Sequence, residues 1–515
     1  MAAEHKPGGR SLSVRRYPRV RDLVCCATRE IERLSLRAMR DRTLQIAVKR
    51  LVIVVLFLPA SVRAVSVWQP ALGRLAKFAA VPNPAGRAEN RASQQPSTGT
   101  TTGAATSEAA ETKPEVKTYN LPPEKYRRAV EFARARYRLY PIEVAYGILV
   151  LWVILHWRVA VRFRDWAEAR SSRRLLQALI YAPLMLVTLG VLGLPSEIYR
   201  QWLELKYQQS VESWPSWAWD WTKGGLVSLI LGTFLVWILY GIIRRSPRRW
   251  WFHLWLVSIP IMVLLVFLQP LLIDPLFFRF EPLAAKQPVL VGEITKVVER
   301  AGFHIPPQRM FEMNASSKLN SLNAYVTGLG ASKRVVVWDT TIAKLTVPQT
   351  LAVFGHEMGH YVLGHIWQGI AFAVCVILLF LYLGYRGMGW ALEHWGPSWG
   401  LRGADDWASL PVLLLFLSVF NFLGSPVFNA FSRHLEHQAD IYGLEVIHGL
   451  VPDAAQVAAQ SFQVAGEVDL DDPDPSPLVE FWLFSHPSTK ERIDFALHYD
   501  PWSKGLPPQF VRDVR

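Results

Sequence analysis

The chain has 515 residues, enough for several folded units. It is 51% hydrophobic with 21 tryptophans and a formal net charge of +14, yet its arginines cluster beside long apolar runs rather than along one soluble face. That placement argues against a nucleic-acid partner and for the positive flanks of membrane helices. The three cysteines, Cys25, Cys26 and Cys375, make no disulfide framework and match no zinc-ligand spacing.

Residues 1–46 are basic and weakly periodic. Residues 47–68 hold Val48-Lys49-Arg50, a short apolar core from Leu51, and a small-residue end at Val62-Arg63-Ala64. This is the shape of a signal peptide or signal anchor, and it makes Met39 the expected start; the alternative is a first membrane helix shortened by Arg63. Residues 81–118, rich in Pro, Ala, Gly, Ser and Thr, read as a disordered linker. Glu124 to Tyr140 is a strongly basic helix, either lying on a membrane surface or simply solvated. Within 140–273, four apolar runs approach the roughly 20 residues a membrane helix needs: Ile142 to Trp157, Leu175 to Leu194, Gly224 to Ile243 and Phe252 to Ile273. Two more follow within 366–431, Ile366 to Tyr385 and Leu410 to Phe431.

Between the two groups, residues 274–365 change character. Lys286 to Ala301 reads as an amphipathic helix and Arg309 to Met313 as a short strand. Ala324 to Thr327 and Arg334 to Trp338 flank a turn-rich segment and suggest a hairpin. Then comes Leu351 to His365, LAVFGHEMGHYVLGH, whose apolar residues recur at helical spacing. On a helix, His356 and His360 share a face and can present two imidazoles to one metal ion. A zinc ion so held lowers the pKa of a water to about 7, and Glu357 is placed to take that water's proton. A catalytic zinc needs a third protein ligand. The extended motif with a third histidine fails, because Leu363 and Ile366 stand at its later positions. A glutamate on a later helix is the other solution, and Glu436 is the best candidate. Asp440, four residues on, lies on the same helical face and would accept a hydrogen bond from the outer nitrogen of a ligand histidine. His365 and His437 read as residues behind the ligands or on the surface. Residues 432–515 form a C-terminal catalytic segment with the acidic loop Glu467 to Asp474 ahead of Ser485-His486-Pro487.

H-E-x-G-H followed by S-R-x-x-E-x-x-A-D resembles the membrane-embedded zinc endopeptidases typified by the type I CAAX prenyl protease, with the HtpX-type heat-shock proteases as relatives. DPLFFRFEPL (274–283), NAYVTGLGASKRVVVWD (323–339) and SHPSTKER (485–492) resemble further stretches of that family in the same order. Phe278-Arg279 departs from its usual Asn-Lys, and residues 207–213 (YQQSVES) only loosely match an F-G-F-N-type loop of the family. The resemblance implies a mostly α fold: about six to seven polytopic membrane helices carrying a small soluble α/β zincin-type insert. It implies one zinc per chain on His356, His360 and Glu436. It gives His486 a contact with the oxyanion or substrate carbonyl and places Arg492 along the site. Asn323-Ala324-Tyr325 becomes the strand edge that holds an extended peptide. Arg433 is a supporting residue that would hold Asp440, Glu436 or the substrate.

The expected function is that of a zinc-dependent integral-membrane endopeptidase in quality control or peptide or CAAX-type processing, acting on peptide or protein substrates and in contact with membrane lipid. The alternatives are a catalytically silent peptide binder or a transporter. The basic loops Arg162 to Arg174 and Arg244 to Arg249 belong in the cytoplasm by the positive-inside rule. In a bacterial inner membrane this favours an extracytoplasmic active site, although the best-known members of the family have a cytosolic one.

Overall fold

A computed structural model describes residues 115–328 and 332–511. The basic segment 1–46, the apolar segment 47–68, the Met39 start and residues 81–114 of the expected linker lie outside the described residues.

Among the described residues, six helices are long and apolar enough to cross a membrane. The first, α1 (Pro123–His156), joins the basic segment and the first apolar run into one rod through Pro141. The basic part is exposed over much of its surface and packed along one face. It packs Ala129 and Phe132 against Leu203, Tyr207, Leu470 and Ile493. Ahead of it, residues at the end of the expected linker are tied down: Val116 exchanges two hydrogen bonds with the Gln456 side chain, at 3.0 and 2.9 Å. Short α2 (Val159–Arg170) leads to α3 (Arg174–Lys206), α4 (Trp214–Arg245) and α5 (Trp250–Phe277). Around Pro270, α5 relaxes into a π-helical stretch, Gln269–Ile273, as a proline removes one rung of the ladder.

The insert then begins with β1 (Phe280–Pro282), a strand too short to be legible in the sequence, and α6 (Pro288–Arg300). β2 (Met310–Met313), β3 (Ala324–Thr327) and β4 (Arg334–Trp338) complete a four-stranded sheet in the order β1-β2-β4-β3. β2 and β4 are parallel, while β1–β2 and β3–β4 are antiparallel. The expected hairpin is present, and β3 is left at the sheet edge. The insert is anchored to the membrane helices by Lys318, which is 1% exposed and pairs with Asp220 of α4 at 3.2 Å. Burial pulls its ammonium down to about 8, against the attraction of Asp220.

After α7 (Asp339–Lys344) comes the motif helix α8 (Val347–Val362). Thr346 and Gln349 close a reciprocal capping box at its start. Gly364 in the left-handed region breaks the chain between α8 and the fifth span, α9 (His365–Trp399). The sixth span, α10 (Leu410–Ile447), extends well beyond its apolar half into the soluble part. α11 (Ala454–Asp469), α12 (Pro477–Leu483) and α13 (Thr489–His498) follow. One core unites Val335 and Val337 of the sheet with Leu351, Phe354 and Met358 of α8 and Val446 and Ile447 of α10. Each such fully buried large side chain contributes roughly 1.5–3 kcal/mol. The core fixes α8 between the sheet edge and the end of α10. At the other end of the spans, Arg164 meets Asp406 at 2.5 Å and Arg244 donates to the Asp405 carbonyl at 3.0 Å, gathering the basic loops away from α8.

Candidate metal centre

The helical spacing does what the sequence requires. His356 and His360 turn their Nε2 atoms to within 3.1 Å of each other on one face of α8. α10 crosses that face at very short range because small residues line the crossing. A Cβ on Gly355 would lie 3.2 Å from the Gly443 carbonyl, and one on Gly443 would lie 3.0 Å from the His356 backbone nitrogen. Gly359 likewise faces Ala439 and Tyr442. This approach brings Glu436, 1% exposed, to the two imidazoles: Oε2 lies 3.2 Å from His356 Nε2 and Oε1 3.6 Å from His360 Nε2.

His356, His360 and Glu436 are all buried, and one ligand atom from each falls within 4.8 Å of the others. Glu436 Oε2 is buried with no hydrogen-bond partner. An orphaned carboxylate oxygen facing two imidazole nitrogens is a donor set that a divalent cation fits. In the metal-free site burial works against a charged His356 ring, but Asp440 and Glu436 outweigh it and raise its pKa to about 10. A metal has to displace that proton.

Asp440 Oδ1 lies 2.8 Å from His356 Nδ1, as expected of a residue that orients a ligand ring. Arg492 does not line an open face. It clamps Asp440 through two bonds, Nε to Oδ2 at 3.0 Å and Nη2 to Oδ1 at 2.6 Å, and lies over the Phe462 ring. A capping box between Ser488 and Glu491 sets the start of α13 and so aims Arg492. Of the partners expected for Arg433, neither Asp440 nor Glu436 forms a hydrogen bond or ion pair with it among the described residues. It lies seven residues before Asp440, about 10 Å along the helix. Its Nη1 instead donates to the carbonyls of Glu480 and Phe484, at 3.0 and 2.6 Å. It thereby ties down the turn that carries His486, whose Nε2 reaches Glu436 Oε1 at 3.3 Å while the side chain stays 43% exposed. Glu357 is half-buried beside the cluster. Burial raises its carboxyl pKa, and His356 and His360 offset part of the rise.

The strand edge is refined in register. The Asn323 amide donates to Thr341 Oγ1 at 2.8 Å, and its carbonyl accepts from the Trp338 amide at 3.1 Å. Hydrogen-bonded and non-hydrogen-bonded positions alternate in an antiparallel pair. Ala324 and Val326, opposite Val337 and Val335, therefore turn their backbone groups to the open edge. The Tyr325 ring points inward, its hydroxyl 3.4 Å from Asp274. Val326 was not picked out in the sequence, because strand phase depends on pairing. Gly443 was missed too, since nothing in its neighbours announces a helix crossing. His437 packs edge-on against Phe495 and stays away from the cluster.

Comparison with known proteins agrees with this architecture. The profile of peptidase family M48 matches residues 284–500, and that of the CAAX prenyl protease N-terminal region, five membrane helices, matches residues 105–279. The chain is 34% identical over 368 residues to the "Uncharacterized metalloprotease YhfN" of Bacillus subtilis, covering 72% of this chain and 84% of that protein. It is 25% identical over 341 residues to CAAX prenyl protease 1 of Saccharomyces cerevisiae, covering 63% and 72%. The crystal structure of S. mikatae Ste24p shares the fold, with a TM-score of 0.65 at 21% identity over 76% of this chain and 93% of that one. The chain belongs to peptidase family M48 and is a multi-pass membrane metalloendopeptidase.

Proposed function

We propose that this protein is a zinc-dependent endopeptidase of a bacterial inner membrane, with one zinc per chain on His356, His360 and Glu436. The observation that carries the reading is the orphaned Glu436 Oε2 facing the two buried imidazoles. A bound zinc supplies a Lewis acid and a water of lowered pKa. The chain's residues do the rest. A peptide adds to the open edge of β3, where Ala324 and Val326 offer backbone hydrogen bonds indifferent to side chains. Glu357 takes the proton of the attacking water; its raised carboxyl pKa suits a base. His486, partly exposed beside Glu436, donates to the oxygen that gains charge. Asp440, braced by Arg492, holds His356 in the tautomer that leaves Nε2 unprotonated. The substrates are peptides or proteins released or anchored at the membrane, in quality control or in processing of the type named for the CAAX relatives. The catalytic end faces out of the cytoplasm.

The test is peptide cleavage by the purified protein in detergent, beside Glu357→Gln, with zinc quantified in both. Removing a general base costs about 10²–10⁴-fold. The expected outcome is a loss in that range with zinc content unchanged. Equal cleavage by both removes Glu357 from the mechanism. Silence from both with zinc bound favours a peptide binder, and absence of zinc from both removes Glu436 as a ligand.

A further inference from the structure

The two proposed ligand rings are backed by chemically different partners. His356 leans on the Asp440 carboxylate. Behind His360 lies an imidazole: its Nδ1 lies 2.9 Å from Nδ1 of His365, which is 3% exposed. His365 Nε2 lies 3.1 Å from Gln438 Oε1, and Gln438 Nε2 lies 3.2 Å from His434 Nε2. The sequence reaches this geometry by its one break between α8 and α9. Gly364, at φ +70, breaks the helix, and the first residue of α9 lies against His360 in the last turn of α8. The two rings meet edge to face, 5.0 Å between centroids.

The direction of this chain of hydrogen bonds is set from the metal end. A nitrogen that binds a metal carries no proton, so the proton of a neutral His360 sits on Nδ1. His365 must then accept at Nδ1, which places its own proton on Nε2 and lets it donate to Gln438 Oε1. Gln438 donates onward to His434. Every atom in the series has one role, and each role fits its neighbour.

We infer that His365 is the positioning residue for His360: a neutral imidazole acceptor that fixes the ring's tautomer and aim, the counterpart of Asp440 behind His356. The inference rests on the proposed metal site. An outer partner of a ligand histidine is worth about 10–100-fold in metal affinity. A neutral partner leaves His360 less electron-rich than a carboxylate partner leaves His356.

The experiment compares three variants of the full-length protein in detergent. His365→Asn keeps an acceptor where Nδ1 was. His365→Gln moves the acceptor outward to where Nε2 was, and His365→Leu removes it. Zinc affinity is read by competition with a chromophoric chelator, kcat and KM at saturating zinc, and folding by thermal melt. Expected are zinc affinities about 10–100-fold weaker for His365→Leu and His365→Gln and within about threefold of wild type for His365→Asn, with KM unmoved in all. If His365→Leu does not fold, the contrast between Asn and Gln carries the test. Wild-type affinity in His365→Gln, or equal weakening in His365→Asn and His365→Gln, overturns the inference. Absence of zinc from the wild type itself would instead sink the metal site, so the two failures are told apart.

Discussion

Arg433 shows how a residue can act at a distance from the chemistry. It holds the carbonyls of Glu480 in α12 and of Phe484 just before Ser485-His486, at 3.0 and 2.6 Å. Hydrogen bonds from charged donors are worth about 1.5–3 kcal/mol, enough to fix where His486 stands. Arg433→Ala should lower kcat by about 10–100-fold, approaching the roughly 10²–10³-fold cost of losing an oxyanion donor, while zinc content stays whole. Steady-state kinetics with metal analysis checks this; lost zinc would mean that Arg433 supports Glu436 instead. His356 offers a pH prediction. Its ring, opposed by burial but favoured by Asp440 and Glu436, holds a proton up to about 10 without metal. The proton competes with zinc at every pH below that value, so zinc affinity should fall as pH is lowered from 10, by up to about tenfold per unit where this is the one group titrating. At pH 8 about one proton should leave His356 per zinc bound. Calorimetry in two buffers of different ionisation enthalpy measures it, and zero release would refute the raised value.

At the scale of elements, the site depends on how closely α8 and α10 cross. Gly443→Ala places a Cβ 3.0 Å from the His356 nitrogen and 3.2 Å from its Cα, both rigid backbone. The helices must part by a few tenths of an ångström, carrying Glu436 away from the imidazoles. Overpacking of this kind costs about 1–3 kcal/mol. Zinc affinity should drop by about tenfold or more and the melting temperature should fall. Gly389→Ala on α9 is the control, with nothing within 4 Å of the new Cβ. It should melt within a degree or two of the parent, helped by the better helix propensity of alanine. If both variants bind zinc like the parent, the close crossing is not what sets the ligand geometry.

For the molecule as a whole, the six candidate spans separate two ends. One end carries the sheet, α8 and the C-terminal helices. The other gathers Arg158, Arg164, Arg244 and Arg402 around the carbonyls and carboxylates of residues 165–168 and 398–406. The positive-inside rule assigns the second end to the cytoplasm. A reporter fused to the C-terminus should therefore be active outside the cytoplasm and silent within it. The reverse pattern would place the catalytic end in the cytosol and end the orientation proposal.

Much of this was legible in the order of residues because it rests on local periodicity. The i, i+4 spacing of His356 and His360, the apolar runs of the spans and the β3–β4 hairpin all follow from short-range rules. Glu436 and Asp440 were readable as a pair on one helical face, although their distance from α8 was not. Other features were decided only when elements met. Arg492 turned to Asp440 and Arg433 to a distant turn because side chains of that length choose partners by tertiary position. Val326, rather than Asn323, took the open edge because strand phase is fixed by pairing with β4. His365 acquired its partner because Gly364 breaks the helix, and an edge-to-face ring contact across a helix break has no signature in spacing.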